Sequence, residues 1–402
     1  MVEERGYKKN LRNLSGAGRG HSNDDEVGRQ QLNTIFGEGI VVEPHADIEE
    51  QFHYNVNTRT LTTTTANGGT ATVENDMLKL TTSTATNGSS KVETKRPIRY
   101  RPGKEAYAMF TAQWDNGGVT GCKQRIGIFD GTDGYYVGFN GTDFVVGYVQ
   151  EGVETEVTRA NFNGDAEYIS FIDTSKLNIF RISYGWLGTA PCTFEFLSTD
   201  HEWHVLHVID FQNTLTRPSV TNPALPLCVH ATKTSGATDV VVRTASWIGG
   251  VHGEASSTSD RYDTGTISAT AISTETVLIN FQNVTTFQGK SNRVEVEGVR
   301  VSMATDGTKT GKIKIYRNLT ITSPTWANID ATNSVLQTDT VGTVTPSDAN
   351  LLFEYNLARQ DSIVDDISDM DMIIEPGETV TITGQSASNM DFDFTARWRE
   401  HF

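Results

Sequence analysis

Three groups of residues in this chain have types and spacings that could do chemistry. "HEWHVLH" sets His201, His204 and His207 three positions apart, and imidazoles bind zinc. In a strand, however, His201 and His207 point one way and His204 the other. The neighbouring Val205, Val208 and Ile209 favour strand. Asp130, Asp133 and Asp143 fall in adjacent glycine-rich loops, where carboxylates can hold calcium. The acidic order of an EF-hand is missing, and turn-forming side chains account for Asp130 and Asp133. The same holds for Asp365, Asp366, Asp369 and Asp371, which read as a solvated loop. Paired carboxylates could hydrolyse a glycoside, but in a chain with 50 acidic residues finding two is uninformative. There is no Gly-x-Ser-x-Gly elbow, no phosphate-cradling glycine loop and no His-Glu-x-x-His. The sequence therefore points to no catalytic set, no metal and no cofactor, and to a protein that is not an enzyme. Binding is more credible. Tyr135, Tyr136, Trp186 and Trp203 could offer flat rings to sugars, with Asp or Asn taking hydroxyls; core or interface positions are the alternative for each. The densest basic run is Lys91, Lys95, Arg96, Arg99, Arg101 and Lys104. It reads as a strand edge plus turn, with a sugar or phosphate site as the alternative.

The elements that must carry these residues are strands. Ala106, Ala108, Phe110, Ala112 and Trp114 alternate with Tyr107, Met109, Thr111 and Gln113, a period of two with one apolar face. "RIGIFDGTDGYYVGFNGTDFVVGYVQEG" gives three short strands, and Asn140-Gly141 is a strong hairpin signal. Further strands are expected over 179–184, 192–197, 203–209, 227–231 and 239–247. The gaps are too short for crossover helices of about a dozen residues. The expected fold is all-β: two antiparallel β-sandwich domains, jelly-roll or lectin-like, preceded by an extended N-terminal arm. The arm covers 1–35, with one helical turn near Val27 to Leu32. The first, lectin-like sandwich covers 36–253, entered by a strand from Ile40, Val41 and Val42. A small polar linker, "EASSTSDRYDT", covers 254–264, and the second sandwich covers 265–402.

Composition narrows the function class. The 402 residues carry a formal charge of −17, so nucleic acid is not an expected partner. Hydrophobic residues make up only 37%, but 18 Phe, 12 Tyr and 6 Trp support folded cores over a disordered chain. Abundant threonine suits wet, extended backbone. Cys122, Cys192 and Cys228 are odd in number and widely spaced, which reads as buried free thiols. No run of eighteen apolar residues is present, so membrane insertion is not expected. The opening "MVEERGYKKNLRN" shows no apolar signal segment, which points to synthesis in a cytoplasm.

"RPIRYRPGKEAYAMFTAQWDN" followed by "QRIGIFDGTDGYYVGFNGTDF" resembles a family of β-sandwich virion structural proteins of tailed bacteriophages. The matching positions include Arg96, Pro97, Tyr100, Pro102, Gly103, Ile126, Gly127, Asp130, Gly134, Tyr135, Tyr136 and Asn140-Gly141-Thr142. The close, "EPGETVTITGQSASNMDFDFTARWREHF", fits as well, with Trp398 and Glu400 in its last strand. The resemblance implies a tail, baseplate, fibre or capsid-surface component, located in the virion and assembling through its arm and sandwich faces. Its partners would be other virion proteins and further copies of itself. The alternative function is a carbohydrate-binding adhesin at the tail tip, contacting a host surface glycan.

Overall fold

The computed structural model describes residues 44–236, 238–253, 260–292, 294–305, 310–359, 361–367 and 372–401. The arm expected over 1–35, the strand entry at Ile40 to Val42 and the carboxylates Asp369 and Asp371 lie outside the described residues.

The described chain is almost entirely β, as the alternation requires. Strands β1 (Pro44–Gln51), β2 (Leu61–Ala66), β3 (Thr70–Glu74), β4 (Met77–Thr81), β5 (Ser89–Thr94) and β6 (Glu105–Trp114) open it. The meander β7 (Cys122–Phe129), β8 (Gly134–Asn140), β9 (Asp143–Gln150) and β10 (Val153–Thr158) follows. Then come β11 (Asn178–Gly185), β12 (Cys192–Leu197), β13 (Trp203–Ile209), β14 (Leu227–Lys233), β15 (Val241–Thr244) and β16 (Ser246–His252). One short helix, α1 (Ala166–Phe171), interrupts them.

These strands form a nine-stranded sheet and a seven-stranded one, all pairs antiparallel. The first runs β13-β12-β11-β6-β15-β4-β3, with β16 bridging β6 and β1. The second runs β10-β9-β8-β7-β14-β5-β2. The sheets share one core. On β6 the apolar face of the sequence pattern, from Ala106 to Trp114, is buried against Ile126, Val137 and Val146 of the seven-stranded sheet. Trp114 stands edge-on to Phe139, Phe144 and Phe180 at 5.7, 5.6 and 5.9 Å. Each such aromatic pair adds about 0.5–1.5 kcal/mol beyond area burial.

Two local features depart from expectation for identifiable reasons. The stretch 70–82 reads as one strand, but it folds into the β3–β4 hairpin. Asn75 and Asp76 make the turn, both left-handed at φ 54° and 58°. Asn and Asp tolerate that region without glycine. The strand expected over 239–247 breaks at Ala245 into β15 and β16. There the Thr111 hydroxyl accepts the Ala245 and Ser246 N–H groups at 2.7 and 3.2 Å. One side chain on β6 thus redirects the chain from β4 to β1.

A second core, from Ile272 to Trp398, lies between two six-stranded antiparallel sheets. The long strand Met390–His401 pairs with Glu295–Thr305 along most of its length. It also pairs with Asp260–Asp263, so part of the polar stretch 254–264 is itself a strand. Residues Trp398 and Glu400 of the closing strand point into this core.

Candidate functional site

The four rings expected to meet sugars go to different places. Tyr135 and Tyr136 are both 0% exposed, so neither presents a face. Neighbours in a strand point to opposite sides. Tyr135 enters the main core, where burial holds its phenol well above the ordinary value. Tyr136 lies on the outer side of the seven-stranded sheet but is closed over. The Arg125 guanidinium sits 4.7 Å above its ring, Glu156 accepts its hydroxyl at 2.7 Å, and Phe129 packs edge-on at 5.7 Å. Trp203 is half-buried beneath Arg181, whose guanidinium lies 4.4 Å over the indole. That guanidinium is itself held by both oxygens of buried Glu195, at 2.6 and 2.8 Å.

Trp186 is different. It is 50% exposed, and it begins a turn in which three consecutive residues are left-handed: Trp186 at φ 48°, Leu187 at 55° and Gly188 at 68°. For a non-glycine residue that conformation costs roughly 1–2 kcal/mol. It persists only where surrounding contacts fix it. Those contacts are visible. The Leu187 N–H donates to Tyr100 Oη at 2.9 Å. Ser219 Oγ donates to the Gly188 carbonyl at 2.8 Å. A serine hydroxyl has one proton to give, so Tyr135 is the donor in its 2.7 Å bond to Ser219 Oγ. A Cβ on Gly188 would stand 1.9 Å from Ser219 Oγ and 2.3 Å from Tyr135 Oη, so only glycine fits. Tyr135 therefore acts from below, as a support for the turn that carries Trp186. On the far side, the outer edge of the indole comes about 4.0 Å from where a Cβ on Gly103 would sit.

One of these supports, Tyr100, also lines a cleft between the two domains. Tyr100 and the segment 221–224, next along the chain from Ser219, form one wall with Pro97 and Arg99. Phe287, Lys290, Ser291, Asn292, Glu295 and His401 form the other, around a cavity of about 410 Å³. Asn222 Nδ2 donates to the Ser291 carbonyl at 3.2 Å across it. Clefts between domains are common ligand sites. A second cleft, of about 430 Å³, opens on the other side of Ser291 and Asn292, lined by Glu93, Lys95, Glu375 and Glu378.

Two residues of the basic run, Arg96 and Arg99, join the domains. Arg96 Nε lies 3.2 Å from Glu295 Oε1 and 3.2 Å from Glu375 Oε1, and Arg99 pairs with the other Glu295 oxygen. Lys91 pairs with Glu93 and Lys95 donates to the Thr58 carbonyl, so these two are also engaged. Sequence reasoning found the cations but not their use, because their carboxylates lie about two hundred or more positions along the chain.

The other candidates resolve as structure. Asp130 caps its own loop, accepting the Thr132 and Asp133 N–H groups at 2.8 and 3.0 Å. Asp133 is buried and takes the Glu151 and Asn222 N–H groups at 3.3 and 3.2 Å. Exposed Asp143 closes the β8–β9 hairpin opposite Asn140. Asp365 accepts the Tyr355 hydroxyl at 2.9 Å. His201 sits exposed in a turn, whereas the His207 Nδ1 accepts the Asn163 N–H at 3.1 Å. Burial lowers the His207 pKa. Asp200, Glu202 and His204 do bring one ligand atom each within 4.8 Å of one another. His204 Nε2, however, is already 2.8 Å from Asp200, and its ring lies flat on Tyr168 at 3.5 Å. The three cysteines are buried and unbridged. Among the described residues no helix is long and apolar enough to cross a membrane.

No family model matches the chain, and no curated protein matches it in sequence. Solved structures match about half of it. One comes from work on endo-acting O-glycanases that human gut microbiota express to initiate mucin breakdown, at 12% identity, covering 52% of this chain and 100% of that one, TM-score 0.36. Lectin II from Ulex europaeus matches at 12% identity, with 52% and 100% coverage and TM-score 0.34. The carbohydrate recognition domain of Emp47p matches at 13%, with 52% and 96% coverage and TM-score 0.33. These findings correct the resemblance to bacteriophage virion proteins. Those three are described as a structure from O-glycanase work, a lectin and a carbohydrate recognition domain. The motifs that suggested a virion protein are turn-and-strand signatures: Pro97 to Gly103 shapes a domain joint, and Asn140-Gly141 a hairpin. Residues that shape turns and strands do not by themselves carry a function. The virion function, virion partners and virion location fall with the resemblance.

Proposed function

We propose that this protein binds carbohydrate on the Trp186 turn, with Trp186 as the platform and the cleft whose wall includes Tyr100, a support of that turn, beside it. The observation that carries this reading is the Trp186 turn. A half-exposed indole on a strained left-handed turn is costly on both counts, and three hydroxyl-mediated contacts beneath it keep it there. Strain of this kind is retained where the presented group has work to do. A pyranose has one face rich in C–H groups, which packs on an indole, and hydroxyls around its rim. Asn222, Ser291, Gln288 and Lys290 in the adjoining cleft offer the donors and acceptors that such hydroxyls need.

Binding is proposed without turnover. Glu295 borders the first cleft and Glu375 the second, and both are held by Arg96. Both carboxylates are engaged by the same guanidinium, which reads as a fixed joint rather than a free acid–base pair.

The test is a glycan array probed with the intact chain, followed by calorimetry on the strongest saccharide. Trp186→Ala is expected to weaken that saccharide about ten- to a hundred-fold without lowering the melting temperature. Trp203→Ala is expected to leave the affinity unchanged, because Arg181 already occupies its face. An array without hits, or equal binding by Trp186→Ala, would reject the proposal. Release of new reducing ends on incubation with the bound glycan would reject the absence of turnover.

A further inference from the structure

A small hairpin of the second domain reaches the first. Thr286–Phe287 pairs antiparallel with Lys290–Ser291, and Gln288 and Gly289 make the turn, both left-handed at φ 49° and 76°. Two-residue loops with both positions left-handed suit the twist of a hairpin. The pair stands as its own two-stranded sheet, apart from both six-stranded sheets. Two strands alone are marginal in water, and outside ties hold these. Gln288 Nε2 donates to the Ala331 carbonyl at 3.2 Å, and Asn222 Nδ2 of the first domain donates to the Ser291 carbonyl at 3.2 Å. Lys290 Nζ lies 3.5 Å from the Thr221 carbonyl. These ties use one end of each polar group. A carboxamide also has an acceptor oxygen, and an ammonium has three donors. The Gln288 and Lys290 side chains are exposed and line the cleft, so what the ties leave is open to a ligand.

The segment 219–222 links this hairpin to the Trp186 turn. At one end Ser219 Oγ donates to the Gly188 carbonyl, and the Val220 N–H donates to the Leu187 carbonyl at 3.4 Å. At the other end Thr221 and Asn222 meet the hairpin. Trp186 is not a wall of the cleft, whereas Tyr100, which accepts the Leu187 N–H, is. The indole and the cleft are therefore two contact points on either side of shared supports. A pyranose seated on the indole leaves the cleft empty, and one seated in the cleft leaves the indole bare. The cleft, at about 410 Å³, is within the size range of ligand pockets in its own right.

Resting on the carbohydrate reading above, we propose that the ligand is an oligosaccharide that spans both domains. One sugar packs on the Trp186 indole, and a following sugar of the same chain enters the cleft, where Gln288 and Lys290 of the hairpin bind its hydroxyls. The hairpin makes the second domain part of the site and sets the length of glycan that is bound.

Calorimetry on the intact chain tests this with a ladder of the strongest array saccharide, from its monosaccharide to its tetrasaccharide. A few hydrogen bonds of ordinary worth change affinity about ten-fold, so extension beyond one sugar is expected to tighten binding about ten-fold or more and then level off. The double variant Gln288→Ala with Lys290→Ala is expected to bind every length about as weakly as the monosaccharide, with the monosaccharide itself unaffected. Trp186→Ala is expected to weaken every length. Both hairpin side chains also tie the hairpin down, so a second measurement reads position directly. A tetrasaccharide carrying a diazirine on each sugar in turn is expected to label the hairpin 286–291 from one sugar and the neighbourhood of Trp186 from another. A monosaccharide that binds as tightly as the tetrasaccharide while still depending on Trp186 would overturn the inference and leave the carbohydrate reading standing. Labelling of 286–291 from no position would overturn it as well. Absence of binding at every length would reject both.

Discussion

Gly188→Ala is expected to remove carbohydrate binding as thoroughly as loss of the indole itself, although the ring remains. Position 188 has φ 68°, where a β-carbon costs about 1–2 kcal/mol. The new methyl would also stand 1.9 Å from Ser219 Oγ and 2.3 Å from Tyr135 Oη. Neither atom can retreat easily, since Tyr135 is fully buried and Ser219 is bonded on both sides. Overpacking of this kind costs about 1–3 kcal/mol. The turn is the softer partner, so it is the turn that shifts, and Trp186 with it. The expected readout is a loss of about ten-fold or more in glycan affinity, with a fall in stability of roughly 2–5 kcal/mol from the two costs together. The double change Gly188→Ala with Ser219→Ala removes the closer clash and is expected to recover part of the stability. A variant that melts and binds like the parent would show that the turn is not fixed from below.

The largest effect on folding is expected at Glu400. Its carboxylate is 0% exposed and takes three hydrogen bonds: Ser334 Oγ at 2.6 Å, the Val335 N–H at 2.9 Å and Trp398 Nε1 at 3.1 Å. Alanine would leave three buried donors without an acceptor and open a hole in the second core. Losing one partner of a buried charged network costs about 3–5 kcal/mol. Glu400→Gln keeps the shape and one acceptor, so it should fall between the two. Guanidinium unfolding of the intact chain, followed by tryptophan fluorescence, measures both. Equal midpoints for the parent and Glu400→Ala would mean that these bonds do not hold the closing strand in place.

Much of the first domain was legible because strands write themselves in period two. The apolar face of β6 and the bounds of β12 and β13 follow from alternation and from the breaks at Gly185 and Pro191. Turns without glycine were harder: Asn75-Asp76 does what Asn-Gly does elsewhere, so β3 and β4 merge in the sequence. The kink at Ala245 depends on one threonine more than a hundred residues away. Site residues were legible only by type. Tyr135, Tyr136, Trp186 and Trp203 look alike as letters; burial and, for Trp203, the covering Arg181 guanidinium separate them. The three residues that make Trp186 usable, Tyr100, Gly188 and Ser219, are ordinary in isolation and gain meaning only from contacts spanning up to 87 positions. Arg96 and Arg99 were visible as charge, but their destination in the second domain was not. The resemblance to virion proteins misled for a related reason: it rested on residues that shape turns, and those report a fold rather than a use.

Nitrogen-15 NMR of the tryptophan indoles gives the most direct check on where a saccharide sits. The chain has 6 tryptophans, so the indole region is simple, and Trp186→Phe identifies one peak by its loss. On titration with the strongest array saccharide, the Trp186 indole should move progressively to saturation while buried Trp114, Trp247 and Trp398 stay fixed. A saccharide that saturates the protein and leaves the Trp186 peak where it was would contradict the proposed site.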